Sequence, residues 1–125
     1  MSIYRNKLEI TMLPQTLKTH YEAKAKEAAE ASLQEYYGGH DAGACGFAWV
    51  TITPKHKGNT KLGKIERTTL ELIGANKDWT GKKYEIWNPS NLGVQNIDAK
   101  EDGARVAAEI LRAEGFNAQM GSRLD

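Results

Sequence analysis

Cysteine, proline and net charge are all scarce in this sequence. The one cysteine, Cys45, cannot form an internal disulfide, and no Cys or His cluster has the spacing of zinc ligands. We therefore expect the protein to reside in a reducing cytosol and to bind no metal. Seventeen Lys and Arg against sixteen Asp and Glu give a formal charge of +1. Proteins that coat nucleic acid are strongly basic, so a nucleic-acid partner is not expected. An anionic ligand would have to bind at a local patch of positive charge.

Long hydrophobic runs are missing as well. The stretch from Met1 to Met12 is interrupted by Arg5, Lys7 and Glu9, so it lacks the apolar core of a signal peptide or a transmembrane helix. No membrane association is expected. Hydrophobic residues make up 40% and charged residues 26% of the 125 residues, as in an ordinary globular protein. The length predicts a single domain over residues 1–125.

The first predicted element is a long helix over residues 14–37. Pro14 suits a first helical turn, good helix formers follow, and Gly38 ends the pattern. The helix carries a stripe of mostly small residues at spacings of three and four, including Tyr21 and Ala25. Small side chains let another backbone come close, so two interpretations stay open: the helix pairs with its copy in a second subunit, or it lies on its own sheet.

Residues 44–125 predict an α+β core. A β-rich run up to Pro54 indicates a mostly buried strand, and a basic loop follows. Residues 64–73 favour a short helix, although Thr68 and Thr69 also suit a strand. Asp98 is predicted to cap a C-terminal helix that Gly115 closes. Further short strands are predicted over residues 82–88, 94–97 and 116–120. The fold class is therefore α+β, a small mixed sheet flanked by a long N-terminal and a C-terminal helix.

Catalytic patterns are not recognisable. A nucleophile needs a base within reach, but Cys45 falls in a hydrophobic strand, where thiols are usually inert, and His20, His40 and His56 are scattered. No carboxylate pair stands in an apolar context, and no glycine-rich phosphate loop has the required spacing. We therefore expect a binding protein rather than an enzyme, without a cofactor.

The remaining polar and aromatic residues suit a flat, anionic ligand. Trp49, Trp79 and Trp87 offer stacking surfaces, a lysine-rich loop and several arginines including Arg123 offer charge, and amides can bind sugar or base edges. Each has a plainer explanation, since a strand Trp is often core and a lysine loop is often only solvated. We expect the selected residues of the second half to converge on one pocket. They are Trp79, Trp87, Asn88, Ser90, Asn96, Arg105, Arg112 and Lys57.

A family resemblance points in the same direction. The segments CGFAWV, TKLGKIER, KDWTG, YEIWNPS, QNID, KEDGAR and GSRLD, between Cys45 and Asp125, resemble a pattern in small proteins of tailed bacteriophages. In size, N-terminal helix and available aromatic, Asn and Arg groups, the chain also resembles the first Thoeris anti-defence family. Members of that family are cytosolic sponges that bind cyclic ADP-ribose isomers and some cyclic oligonucleotides without cleaving them, and they form larger oligomers from dimers.

The leading hypothesis is therefore a phage protein that sequesters a nucleotide immune signal, as a homo-oligomer in the host cytosol. The alternative is a protein-interaction module that inhibits a host protein and uses the same aromatic residues as interface anchors. A third hypothesis, binding of single-stranded nucleic acid, requires a steeply salt-dependent affinity, and the near-neutral charge argues against it.

Overall fold

The structure, a computed structural model, describes residues 12–125. Apart from Met12, the charged N-terminal stretch lies outside these residues. The described part contains three helices and four strands, which confirms the α+β class, and none of its helices is both long and apolar enough to cross a membrane. The elements are α1 Pro14–Tyr37, β1 Gly46–Ile52, α2 Lys61–Leu72, β2 Asn76–Lys77, β3 Tyr84–Trp87, α3 Ile97–Ala113 and β4 Ala118–Leu124.

The four strands form one sheet in the order β2-β3-β1-β4, and every pairing is antiparallel. The sequence analysis predicted a mixed sheet, and that prediction is wrong, because all three pairings are antiparallel. β1 and β2 do run in the same direction, but β3 lies between them and opposes both. From β1 onward, the connectivity β-α-β-β-α-β and this strand order are those of the split β-α-β, or ferredoxin-like, motif. The long helix α1 precedes that motif.

Helix α1 has the predicted bounds, with Pro14 in its first turn and Gly38 in the left-handed conformation at its end. Its small-residue stripe packs on α3 and into the core of the same chain. A side chain at Gly103 of α3 would come within 3.1 Å of the carbonyl oxygen of Ala25, so the two backbones are in close approach. Because α3 occupies this stripe, it is not free to pair with a second subunit.

The N-cap of α2 is Thr60, whose hydroxyl accepts a hydrogen bond from the N–H of Gly63. The helical interpretation of residues 64–73 is confirmed, and the helix starts three residues earlier than expected. The N-cap of α3 is Asn96 and not Asp98, because the Asn96 side chain accepts from the N–H of Ala99 at 2.8 Å. Asp98, the predicted cap, therefore already lies inside the first turn of the helix.

Two predicted strands differ from the structure. Residues 94–97 form no strand, and only an isolated bridge joins Asn96 to Cys45, because the backbone at Asn96 turns to cap α3. The last strand runs from Ala118 to Leu124, later and longer than predicted, because its pairing with β1 continues as far as Gly46.

The two faces of the sheet have different surroundings. Along β1, the side chains of Ala48, Val50 and Ile52 are buried and join the hydrophobic core formed with the three helices. The alternate residues Phe47 and Trp49 point to the other side, since successive strand residues face opposite sides. All the described helices thus contribute to one face, as is common for antiparallel sheets.

Candidate functional site

The second face of the sheet, which we call the open face, has no described helix on it. In an antiparallel sheet, residues paired in register share a face. Trp49 pairs with Trp87 of β3 and with Gly121 of β4, while Phe47 pairs with Arg123. The open face therefore consists of Phe47, Trp49, Thr51, Asn76, Glu85, Trp87, Gln119, Gly121 and Arg123.

Trp87 contacts the rings of both Trp49 and Phe47, and we call these three rings on the two central strands the aromatic platform. The ring centroids of Trp49 and Trp87 lie 4.9 Å apart with their planes tilted by 37°. Phe47 meets Trp87 edge-on at 6.4 Å. Trp87 is 51% exposed although it is a large aromatic residue. The platform thus presents π-surface to solvent on the central strands of the sheet, and its rings have the spacings that aromatic pairs favour.

Glycine at position 121 makes room for the Trp49 ring of the platform. A Cβ atom there would lie 2.7–3.0 Å from three atoms of the Trp49 indole. The indole therefore lies directly over the β4 backbone, and a row of side chains runs from Trp87 across Trp49 to the glycine. Gly121 does not have a left-handed φ, so glycine is not required there for its backbone conformation. It is required because the absence of a side chain leaves room for the Trp49 indole.

Two cations contact Phe47 at the edge of the platform. The Lys100 ammonium of α3 lies 5.3 Å from the ring centroid and the Arg123 guanidinium lies 5.4 Å from it. Both distances are within the range of cation–π attraction. Lys100 is only 8% exposed and donates to the carbonyl oxygen of Gly46 at 2.9 Å. This end of the open face therefore carries two cationic side chains, although the whole chain is nearly neutral.

Of the tryptophans selected from the sequence, Trp87 belongs to the platform and Trp79 does not. Trp79 lies in the turn between β2 and β3 and is 95% exposed. Asp78 shapes this turn by accepting hydrogen bonds from the hydroxyl and the N–H of Thr80. The Thr80 hydroxyl is the main cause that holds the pKa of the Asp78 carboxyl below its usual value. The two tryptophans stand at opposite ends of β3.

The three selected amide and hydroxyl residues shape the connection from β3 to α3. Asn88 has a positive φ of 43° and donates to the carbonyl oxygen of Leu92. Ser90 is buried and donates to the Asn88 side-chain oxygen at 3.1 Å. Asn96 is fully buried as the cap of α3. Their polar atoms are thus already used inside the protein.

The selected cations lie elsewhere. Arg105 forms an ion pair with Asp102 beside an open cleft of about 440 Å³ at the end of α1, which Tyr36, Tyr37, Asp98 and Glu101 also line. Arg112 donates to the carbonyl oxygen of Ala118 at 2.8 Å. Lys57 is exposed in the loop between β1 and α2. The structure therefore brings Trp87, Asn88 and Ser90 to one strand end and places the other five residues in separate surroundings.

Some residues of the open face could have been found from the sequence. The alternation in GFAWVTI separates Phe47 and Trp49 from the small and aliphatic residues between them, which is the signal of a strand with two different faces. Nothing in the sequence indicates that Lys100 reaches Phe47, since that contact depends on how α3 crosses the sheet. Cys45 lies before β1 and is exposed, not inside the strand.

Among residues 12–125, no group of three or more His, Cys, Asp or Glu side chains is placed to hold a metal ion. Comparisons with known proteins add nothing to the geometry, because no protein family, no curated protein and no solved structure matches the chain.

Proposed function

We propose that this protein binds a small nucleotide by stacking its base on the aromatic platform, and that it sequesters this ligand without cleaving it. The biological role that fits is the one expected from the sequence: a phage protein that removes a nucleotide immune signal, such as a cyclic ADP-ribose isomer or a cyclic oligonucleotide, in the host cytosol.

The half-exposed ring of Trp87 and the partly buried ring of Trp49, which pack on each other, carry this proposal. Nucleobases stack on aromatic side chains, and each such contact is worth about 1–3 kcal/mol by alanine substitution. Four-stranded sheets that present aromatic residues on their central strands bind unpaired bases in RNA-recognition modules. Here β1 and β3, the two central strands, supply the rings. This use of a sheet face is an analogy of architecture, and the rings themselves supply the chemistry.

Sequestration rather than turnover follows from the chemistry of the platform. Indole and phenyl rings bind a base by contact area and π-interaction, but they supply neither a nucleophile nor a general base. A ligand held by these rings is therefore expected to be released unchanged.

The experiment compares two exposed tryptophans. Purified protein is titrated with cyclic ADP-ribose isomers, cyclic dinucleotides and cyclic trinucleotides, while the melting temperature and calorimetric Kd are measured. For a ligand that raises the melting temperature, Trp87→Ala is expected to weaken binding by about 5- to 150-fold, the equivalent of one lost stacking contact. Trp79→Ala is the matched control, since it removes an indole outside the platform and should leave Kd unchanged.

Bound ligand is then recovered by heating and identified by mass spectrometry, with the intact nucleotide expected. The proposal is refuted if no member of the panel raises the melting temperature, or if the two alanine variants weaken binding equally. Recovery of a hydrolysed nucleotide would overturn sequestration and leave the binding site in place.

A second candidate function rests on Trp79. A tryptophan that is 95% exposed at the tip of a hairpin is an unusual surface feature, and tryptophans anchor many protein interfaces. The chain would then inhibit a host protein. In a pull-down from host lysate, this function predicts one stoichiometric partner that Trp79→Ala loses and Trp87→Ala retains, together with no response to nucleotides.

A further inference from the structure

We propose that Lys100 and Arg123, which both contact the Phe47 ring, form a phosphate subsite beside it, which holds the phosphate of the nucleotide whose base lies on Trp87. This inference rests on the proposed function and adds the part of the ligand that the aromatic rings cannot recognise. It also explains how a nearly neutral chain can select an anionic ligand.

Lys100 is the first reason. Its side chain is 92% buried, yet no carboxylate of residues 12–125 forms an ion pair with its ammonium. An ammonium has three N–H donors, and the carbonyl oxygen of Gly46 takes one of them. Buried lysines are almost always paired, because an uncompensated charge is costly away from water. The Phe47 ring compensates only part of this charge, so an anion beside the ammonium would be strongly favoured.

Arg123 is the second reason. Arg67, Arg105 and Arg112 all donate to protein oxygens, whereas the Arg123 guanidinium contacts only the Phe47 ring. Among residues 12–125, it is thus the one arginine whose guanidinium donates no hydrogen bond to the protein. A guanidinium can bind two phosphate oxygens at once, and its planar fork matches their geometry.

Both cations lie beside the same ring. Since each is within 5.4 Å of the Phe47 centroid, they are separated by at most about 11 Å. An anion near both would relieve their mutual repulsion. The carboxylate of Glu101, next to Lys100, accepts instead from the Ser122 hydroxyl. Asp125, two residues beyond Arg123, forms no ion pair with either cation in the described structure.

Phosphate fits this place better than other anions because of what surrounds it. Phe47 contacts Trp87 at 6.4 Å, so an anion beside Phe47 lies next to a base stacked on Trp87. A nucleoside 5′-phosphate spans such a distance, since one ribose separates its base from its phosphate. The same nucleotide thus meets both groups without a change in the protein.

The experiment uses adenosine 5′-monophosphate, adenosine and inorganic phosphate as probes on the full chain, with quenching of tryptophan fluorescence as the readout. The monophosphate is expected to bind at least tenfold more tightly than adenosine at low salt. Arg123→Gln should reduce this preference about fivefold or more and leave the Kd of adenosine unchanged. Lys100→Met should act in the same direction. Arg105→Gln, which removes an exposed arginine elsewhere, should retain the preference.

The subsite is overturned if Arg123→Gln leaves the preference intact or if Arg105→Gln reduces it equally. Should Lys100→Met fail to fold, the exposed Arg123 variant still decides the question. Adenosine that binds as tightly as the monophosphate refutes the subsite and leaves base stacking standing. Failure of both probes to bind also refutes the subsite, whereas the proposed function is then decided by the cyclic nucleotide panel. Inorganic phosphate that competes with the monophosphate supports a subsite specific for the anion.

Discussion

Substituting Gly121 by alanine tests whether the aromatic platform has the geometry described here. The new Cβ would lie 2.7 Å from Nε1 and 2.8 Å from Cε2 of the Trp49 indole. Favourable contacts between such atoms begin at about 3.5 Å, so the ring must withdraw by roughly 0.5–1 Å. Trp49 would then move relative to Trp87, whose ring centroid is 4.9 Å away. The platform should lose its shape while the rest of the sheet keeps its pairing.

Gly121→Ala is expected to destabilise the protein, whereas a glycine-to-alanine substitution at an ordinary site stabilises it. Replacing glycine by alanine usually stabilises a protein by about 0.4–1 kcal/mol when φ is negative, because the unfolded chain loses freedom. Overpacking costs about 1–3 kcal/mol in a closed core. Because Trp49 is only partly buried and can tilt outward, we expect a net loss near the lower end, about 1 kcal/mol. With a urea m-value of about 1–3 kcal/mol/M, the unfolding midpoint should fall by about 0.3–1 M.

Urea unfolding followed by far-ultraviolet circular dichroism gives the stability, and near-ultraviolet circular dichroism reports the coupling of the two indoles. Gly93→Ala is the matched control, since a Cβ at Gly93 meets nothing within 4 Å and its φ is not left-handed. The reasoning is refuted if Gly121→Ala is as stable as this control, keeps the near-ultraviolet signal and binds nucleotide as before.

Two further predictions concern the core and the hairpin tip. Tyr21→Phe removes a buried hydrogen bond of 2.6 Å to the carbonyl oxygen of Ile73, so the free energy of unfolding should fall by about 0.5–1.5 kcal/mol in urea titrations. Asp78, whose folded pKa is lowered, stabilises the turn above its unfolded pKa, and this contribution is lost as pH falls through the folded pKa. The Asp78 carboxyl and the Thr80 amide should therefore titrate together, below the usual aspartate range, in an NMR pH series.

Each of these predictions has its own counter-result. Tyr36→Phe, on the exposed side of the same helix, is the control for Tyr21, and equal stability of the two variants would contradict the buried hydrogen bond. An Asp78 carboxyl that titrates at or above its ordinary pKa would contradict the turn geometry. In Asp78→Asn, the titration of the Thr80 amide should disappear.

The sequence predicts those elements that are decided by neighbouring residues, and it fails where residues far apart in the chain decide. Local signals were sufficient for α1, since Pro14 and Gly38 mark both ends of a run of helix formers. Alternation was sufficient for β1. The cap of α3 was misplaced because Asp98 and Asn96 are both good capping residues, and the choice between them depends on the bridge from Asn96 to Cys45. That pairing joins residues far apart in the chain, which a local pattern does not encode.

The candidate site was less predictable for the same reason. Composition identified the tryptophans as stacking groups, but the pairing of strands decides that Trp49 and Trp87 meet while Trp79 stands at a turn. A buried amide and a ligand-binding amide look alike in a sequence, so Asn96 was selected although capping of α3 uses it. Lys100, in contrast, resembled any solvated helical lysine until its packing was known.

The placement of α1 explains why, within residues 12–125, one face of the sheet has no helix on it. In the ferredoxin-like motif, two helices cover one face of the sheet, and here α1 adds its stripe to the same side by packing on α3 through Ala25 and Gly103. The core therefore becomes thicker on that side, and the open face need not contribute to it. Its rings lie on the two central strands, each of which has a neighbouring strand on both sides, so little rearrangement is needed when a ligand stacks. A site that is already formed avoids most of the ordering entropy of binding, which favours tight capture of a small ligand.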